Sequence, residues 1–258
     1  MFAKFFSLVV LVGFLSLEQA NSCGIAPRFW CDSVEIARKC GVLAECSSRL
    51  KQGNDKLNGT SPVRVSVYFE SYCPDSINFI TTVLYPTWEK LHSTGIIHLM
   101  LIPYGKAHYV HHRNDTYTFT CQHGEKECIG NKIENCVIRE ARFITTKYLP
   151  VVQCMESAPD PNSAAEECCM KQGFDWEKIN NCAEGPEGSK LLHQAGVATE
   201  RLEPKLNFVP WIVINGMHTD EMQAAALKDL TSVVCETYQG VKPAECHSAH
   251  KIKFISHA

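Results

Sequence analysis

After its first twenty residues the chain has no apolar run long enough to cross a bilayer, so no transmembrane segment is expected in the mature protein. It has no surplus of positive charge either. Lys+Arg of 25 against Asp+Glu of 28 leaves a net charge of −3, and no basic stripe with interleaved aromatics is present to track a phosphate backbone. Nucleic acid is therefore excluded as an expected partner. Internal repeats and low-complexity tracts are absent. With 258 residues and 45% hydrophobic content, the chain can bury one core of ordinary size and still carry a small extra module.

The amino terminus sets the compartment. Lys4 precedes an apolar run from Phe5 to Leu17 that is too short for a membrane span, with small residues at Ala20 and Ser22 as cleavage points. Residues 1–20 read as a signal peptide, an uncleaved anchor being the alternative. Fourteen cysteines fit disulfides formed in an oxidising lumen. The sequons at Asn58 and Asn114 agree with that route as glycosylation acceptors. Residues Ile255 to Ala258 match neither a retention signal nor a prenylation box. A protein of the secretory pathway is expected, either secreted or endosomal/lysosomal.

Cys23, Cys31, Cys40 and Cys46 crowd into a segment too short to bury its own core, where disulfides replace hydrophobic stabilisation. Together with Trp30 beside Cys31 and the steps Cys23-Gly24 and Cys40-Gly41, residues 22–49 resemble a saposin A-type module, either a structural spacer or a binding element. Residues 50–62, rich in Gly, Asn, Asp and Lys, read as a linker, and 247–258 as a tail.

From Val63 the pattern alternates through Val65, Val67 and Phe69, which predicts a strand. Ile77, Ile80, Leu84, Trp88 and Leu91 then recur at spacings of three and four, so a helix should begin at about Pro74, kinked at Pro86. Ile96 to Ile102 follows as a buried strand, parallel to the first. A further strand is expected over Val209 to Ile214, turning at Asn215-Gly216, with a last helix capped by Asp220. Between them, Tyr104 to Leu206 reads as a helical insertion pinned by disulfides. This predicts an α/β chain with a disulfide-rich helical insertion.

A cysteine between a strand and the first turn of a helix meets unpaired N–H groups and the positive end of the helix dipole, both of which favour a thiolate. Cys73 has that position and is expected to be an exposed, reactive nucleophile, opposed in part by Glu70 and Asp75. Thioredoxin-like folds place a cis proline opposite the active cysteine, and Val209-Pro210 is the matching step.

The most specific string is Cys121-Gln122-His123-Gly124, then Glu127-Cys128, Asn131 and Cys136. A zinc site is disfavoured because the cysteine spacings miss the usual close pairs, so no metal is expected, and His123 reads as a hydrogen-bonding residue of the disulfide loop in preference to a catalytic base. The string is similar, residue for residue, to the signature of the gamma-interferon-inducible lysosomal thiol reductase family. With Cys73 and Val209-Pro210, the resemblance covers residues 63–246. It implies a thioredoxin-like fold that reduces disulfides of protein substrates at low pH, without a bound cofactor.

One departure stands out. The family's Cys-x-x-Cys pair is here Cys73-Pro74-Asp75-Ser76, and a serine cannot resolve a mixed disulfide. Ser76 could hydrogen-bond the Cys73 thiolate, while release would need an external small thiol such as cysteine or glutathione, or another cysteine of the chain. A monothiol oxidoreductase and a binder of extended chains thus both stay open. The resemblance also accounts for Cys121, Cys128, Cys136, Cys154, Cys182, Cys235, Cys246 and one of Cys168 and Cys169. The other of that adjacent pair is either a buried free cysteine of the insertion or the candidate substitute for the missing thiol.

Overall fold

The computed structural model describes residues 61–247, apart from Asp115. The expected signal peptide, saposin A-type module, linker, Asn58 sequon and tail lie outside those residues, save for the linker's end at Ser61 and Pro62 and the tail's first residue, His247.

Strand β1 (Val63–Phe69) buries Val63, Val65, Val67 and Phe69 as the alternation required. It is the middle strand of a three-stranded sheet, flanked by Ile97–Pro103 on one side and Trp211–Ile214 on the other. Its partner β2 (Ile97–Pro103) runs parallel, Val63 facing Ile97 and Phe69 facing Pro103. The connection is helical: α1 (Pro74–Phe79), a π-helical turn over Ile80–Leu84, and α2 (Tyr85–Leu91). The wide turn lies just ahead of Pro86, which has no N–H to donate and whose ring crowds the carbonyl four residues back. Gly95, at φ 73°, ends the segment in the left-handed region.

Strand β5 (Trp211–Ile214) pairs antiparallel with β1, Tyr68 opposite Trp211. Asn215 and Gly216 take φ of 51° and 82°, the signs of a type I′ turn, and Ile214 bridges Met217 beyond it. Asn215 also clamps the turn to β1, its Oδ1 accepting from Arg64 N at 2.9 Å. The helix that follows, Asp220–Thr237 (called α8 in chain order), is capped by Thr219 and not by Asp220: Thr219 Oγ1 accepts from Met222 N at 3.2 Å, and Asp220 is already helical. This helix bends at Asp229, whose Oδ1 accepts from Ser232 N at 3.0 Å and so caps the second half.

The segment between β2 and β5 is helical as expected: α3 (Glu125–Glu140), α4 (Thr145–Glu156), α5 (Pro161–Lys171), α6 (Trp176–Glu184) and α7 (Pro186–Glu200). It also contains a hairpin that the helical reading missed, β3 (His108–His111) with β4 (Tyr117–Thr120). The side chains of β4 alternate between half-buried and exposed, those of β3 are exposed apart from half-buried Tyr109, and ring contacts such as Tyr117 on His193 of α7, centroids 4.1 Å apart, hold the hairpin down. Asn114 is exposed in the turn joining the two strands.

Disulfides staple the insertion. Cys121–Cys128 closes the loop ahead of α3, Cys136–Cys182 ties α3 to α6, Cys154–Cys168 ties α4 to α5, and Cys235–Cys246 closes the end of α8. Each is worth about 2–4 kcal/mol, chiefly by restricting the unfolded chain. A parallel β-helix-β unit extended by an antiparallel strand after a cis proline gives the thioredoxin-like α/β fold, here with the helical insertion between its halves.

Candidate active site

Cys73 lies where the sequence puts it, as the residue capping α1, with Pro74 first in the helix and Ile77 N donating to Cys73 O at 2.9 Å. It carries a free thiol. It is not exposed, however: only 7% of its surface is accessible. The reason is tertiary. The loop closed by Cys121–Cys128 brings His123 next to it, so that ligand atoms of Glu70, Cys73 and His123 all lie within 4.8 Å of one another.

His123 is thus more than a loop residue. Its Nδ1 and its backbone N–H both bond Glu127 Oε2, the latter at 2.9 Å, and Glu127 Oε1 accepts from Gln122 N at 3.2 Å. A carboxylate can only accept, so it fixes the proton on Nδ1 and orients the ring. Nδ1 also lies 3.5 Å from Glu70 Oε2. Glu70 is fully buried, with Oε1 accepting from Lys106 N at 2.6 Å. Burial pushes its carboxyl above the usual range, helped by the Glu127 charge and countered by the Lys106 bond and by His123. Gly124, at φ 84°, makes the reversal between His123 and α3.

The rest of the signature holds the cysteine loop from behind. Asn131 Oδ1 accepts from Ser71 N at 3.0 Å, and Ser71 Oγ donates to the Glu127 carbonyl at 3.2 Å. Gly130 permits this approach, since a Cβ there would meet Ser71 Oγ at 2.4 Å and Asn162 Oδ1 at 2.8 Å. Gly130→Ala is therefore expected to cost about 1–3 kcal/mol by overpacking and to displace the loop bearing Cys73. Urea unfolding together with the rate of Cys73 alkylation measures both effects; an unchanged midpoint and rate would remove the close-approach argument.

Ser76 is also buried, but its Oγ accepts from Glu70 N at 3.4 Å, and Cys73 has no side-chain capping bond. The expected Ser76 bond to the Cys73 sulfur is not formed; the serine instead braces the residue that faces the thiol. The candidate substitute thiol is corrected as well. Cys168 is bonded to Cys154, and Cys169 is free but fully buried in the main core. Burial pushes its thiol up to about 12, so it has no thiolate to offer.

Pro210 meets its expectation: Val209–Pro210 is cis. Register places it at the end of β1 from which the Cys73 loop departs, because Tyr68 faces Trp211. Gln223 of α8 fixes it there, donating to Pro210 O at 2.8 Å and accepting from Ile212 N at 2.9 Å. Val209 is itself buried, at 5% exposure, so the accessible surface beside the turn is that of Phe208.

The sequence reading missed two residues, Glu134 and Glu156. Both are buried, and none of their four carboxyl oxygens finds an N–H or O–H donor among the described residues. Desolvation pushes Glu134 up to about 8, and desolvation together with the Glu134 charge and the nearby Cys73 sulfur pushes Glu156 higher still. A proton on either carboxyl joins the two. The signal was legible as a polar stripe on α3, because Glu127, Asn131 and Glu134 recur at spacings of four and three, the period of one helix face.

Stability should follow from this pair. Carboxyls whose pKa is raised by folding bind protons that the unfolded chain releases. The stability they contribute is full below the ordinary value of 4.5 and is lost as pH rises towards about 8. Stability is therefore expected to fall as pH rises over that range, and Glu134→Gln should make the fall shallower. Urea denaturation at pH 5 and pH 8 with disulfides intact checks this; equal slopes for wild type and variant would contradict it.

A free thiol at the start of the helix after β1, at the same end of the sheet as a cis proline, is the arrangement of the thioredoxin-like thiol–disulfide oxidoreductases, and the chain is one of them. A model of the family described as gamma interferon inducible lysosomal thiol reductase (GILT) matches residues 64–172. The protein named gamma-interferon-inducible lysosomal thiol reductase of Carassius auratus is 43% identical over 88% of this chain and 85% of its own length. Its namesake of Mus musculus is 36% identical over 95% and 92%. The chain belongs to the GILT family. Among solved structures, DsbA of Chlamydia trachomatis aligns at TM-score 0.49 and 11% identity, covering 67% of this chain and 88% of its own. No helix among the described residues is long and apolar enough to cross a membrane.

Proposed function

We propose that the protein exchanges and reduces disulfides of protein substrates through Cys73 alone, in an acidic endosomal/lysosomal or extracellular setting, with an external small thiol as reductant. The observation that carries the single-cysteine reading is the fate of the other candidates: Ser76 is engaged by Glu70 N, Cys168 is in a disulfide and Cys169 is sealed in the core. Among the described residues no second thiol is placed to resolve what Cys73 forms.

The Cys73 thiolate attacks one sulfur of a substrate disulfide, forming a mixed disulfide and releasing the other sulfur as a thiolate. His123, oriented by Glu127, is placed to take the proton from Cys73 and to return it to the leaving sulfur. A small-thiol thiolate then attacks the Cys73 sulfur and expels the second substrate thiol, and a second small thiol frees Cys73 as a small-molecule disulfide. Two small thiols are oxidised for each disulfide reduced. An acidic setting is supported by the buried carboxyls, since Glu70, Glu134 and Glu156 all favour the protonated form.

The reading is tested by incubating the protein with a denatured disulfide substrate and no small thiol, then mapping peptides after an acid quench. A mixed disulfide at Cys73 that clears when cysteine is added supports it; an unmodified Cys73 refutes it. In the same assay, Ser76→Cys should shorten the life of that adduct at least tenfold, because the new thiol attacks intramolecularly. An equally long-lived adduct would mean that position 76 is out of reach of the sulfur.

A further inference from the structure

The Glu70 carboxyl is buried, its Oε1 bonded to Lys106 N, while Oε2 has no hydrogen-bond partner. That unpartnered oxygen lies 3.5 Å from His123 Nδ1, in the space where Glu70, Cys73 and His123 bring their ligand atoms within 4.8 Å of one another. A buried carboxyl oxygen without a hydrogen-bond partner calls for one, and here its neighbours are a thiol and an imidazole.

We propose that Glu70, Cys73 and His123 form a binding site for a borderline-soft divalent cation, Zn²⁺ foremost, which reversibly masks the nucleophile. The donor set fits: one thiolate, one imidazole and one carboxylate are the ligand types of three-ligand zinc sites with an open fourth position. Donor atoms around a tetrahedral zinc are about 3.3–3.8 Å apart, as follows from bond lengths of about 2.0–2.3 Å, so a set within 4.8 Å has to contract by about 1–1.5 Å at most. Glu127 bonds the imidazole and orients it, the outer-shell support that metal-bound histidines have. Binding releases the protons of the Cys73 thiol and the Glu70 carboxyl to solvent, and the resulting thiolate and carboxylate together balance the charge of the ion. A reading of the 121–136 string for close cysteine pairs does not find this set, because two of its members come from the loop after β1.

Binding removes the Cys73 lone pair from attack without any redox change, and a chelator restores it. The test uses the full chain with its disulfides intact and Co²⁺ as a spectroscopic stand-in. One equivalent of Co²⁺ should give a thiolate-to-cobalt charge-transfer band, lost in Cys73→Ala and kept in Cys169→Ser. Glu70→Gln and His123→Ala should each weaken binding by about tenfold or more. Absence of the band, its persistence in Cys73→Ala, or unchanged affinity in both Glu70→Gln and His123→Ala would overturn the proposal. A second measurement needs no variant. Zn²⁺ should protect Cys73 of the wild type from iodoacetamide, with protection lifted by EDTA, and labelling at the same rate with and without Zn²⁺ would equally overturn it.

Discussion

Replacing Cys73 with alanine should lower turnover of a denatured disulfide substrate by about three orders of magnitude or more, to the rate of the small thiol alone. The effect is this large because no other cysteine among the described residues stands in for the sulfur. Cys169 is the one other free cysteine among the described residues, and its thiol, pushed up to about 12, stays protonated in the core. Each remaining described cysteine is in one of four disulfides, which tie helices of the insertion or close loops. The variant should fold as the wild type does, since Cys73 caps α1 without a side-chain bond. Turnover within a few-fold of wild type would place the reactive sulfur elsewhere.

His123→Ala should cost about 10²-fold in the second-order rate with substrate, the usual worth of one positioned acid–base group. The ring is joined to Glu127 and lies close to both Glu70 and Cys73. Losing it deprives the thiol of its proton acceptor, deprives the leaving sulfur of a donor, and exposes Cys73 to the uncompensated charge of Glu127. Chemical rescue separates this from loss of packing. Imidazole added in solution should restore part of the rate lost in the variant without moving its urea midpoint, and no rescue would leave His123 with a structural role only.

Much of the scaffold was readable in the residues. Alternation from Val63, the stripe from Ile77 to Leu91 and the apolar run before Pro103 are local patterns with one compatible geometry, and β1, the helical crossover and β2 form there. Asn215-Gly216 fixed its turn for the same reason, because few residue pairs tolerate two positive φ values. The β3–β4 hairpin was not readable, since His108 to His111 and Tyr117 to Thr120 carry no buried face and depend on contacts such as that of Tyr117 with His193.

At the site, position was legible and surroundings were not. The sequence puts Cys73 at the start of a helix, but its 7% exposure depends on a loop that is 50 residues away in the chain, as is the closeness of His123. Glu134 and Glu156 escaped notice because a glutamate is read as solvated unless its helix face is known to be buried. The signature's logic also emerged only in three dimensions: Asn131 and Gly130 matter through Ser71, two residues before the nucleophile.

The central claim is that Cys73 works without a resolving thiol in the chain, and the dependence of turnover on external thiol tests it most directly. Reduction of a denatured disulfide protein is followed at pH 5 across a series of cysteine concentrations, with the mixed disulfide at Cys73 quantified at each. A rate that rises in proportion to cysteine, with the adduct as the dominant enzyme form at the lowest concentrations, is the predicted result. A rate independent of cysteine with no adduct detectable would contradict the account, because a thiol within the chain would then be doing the resolving.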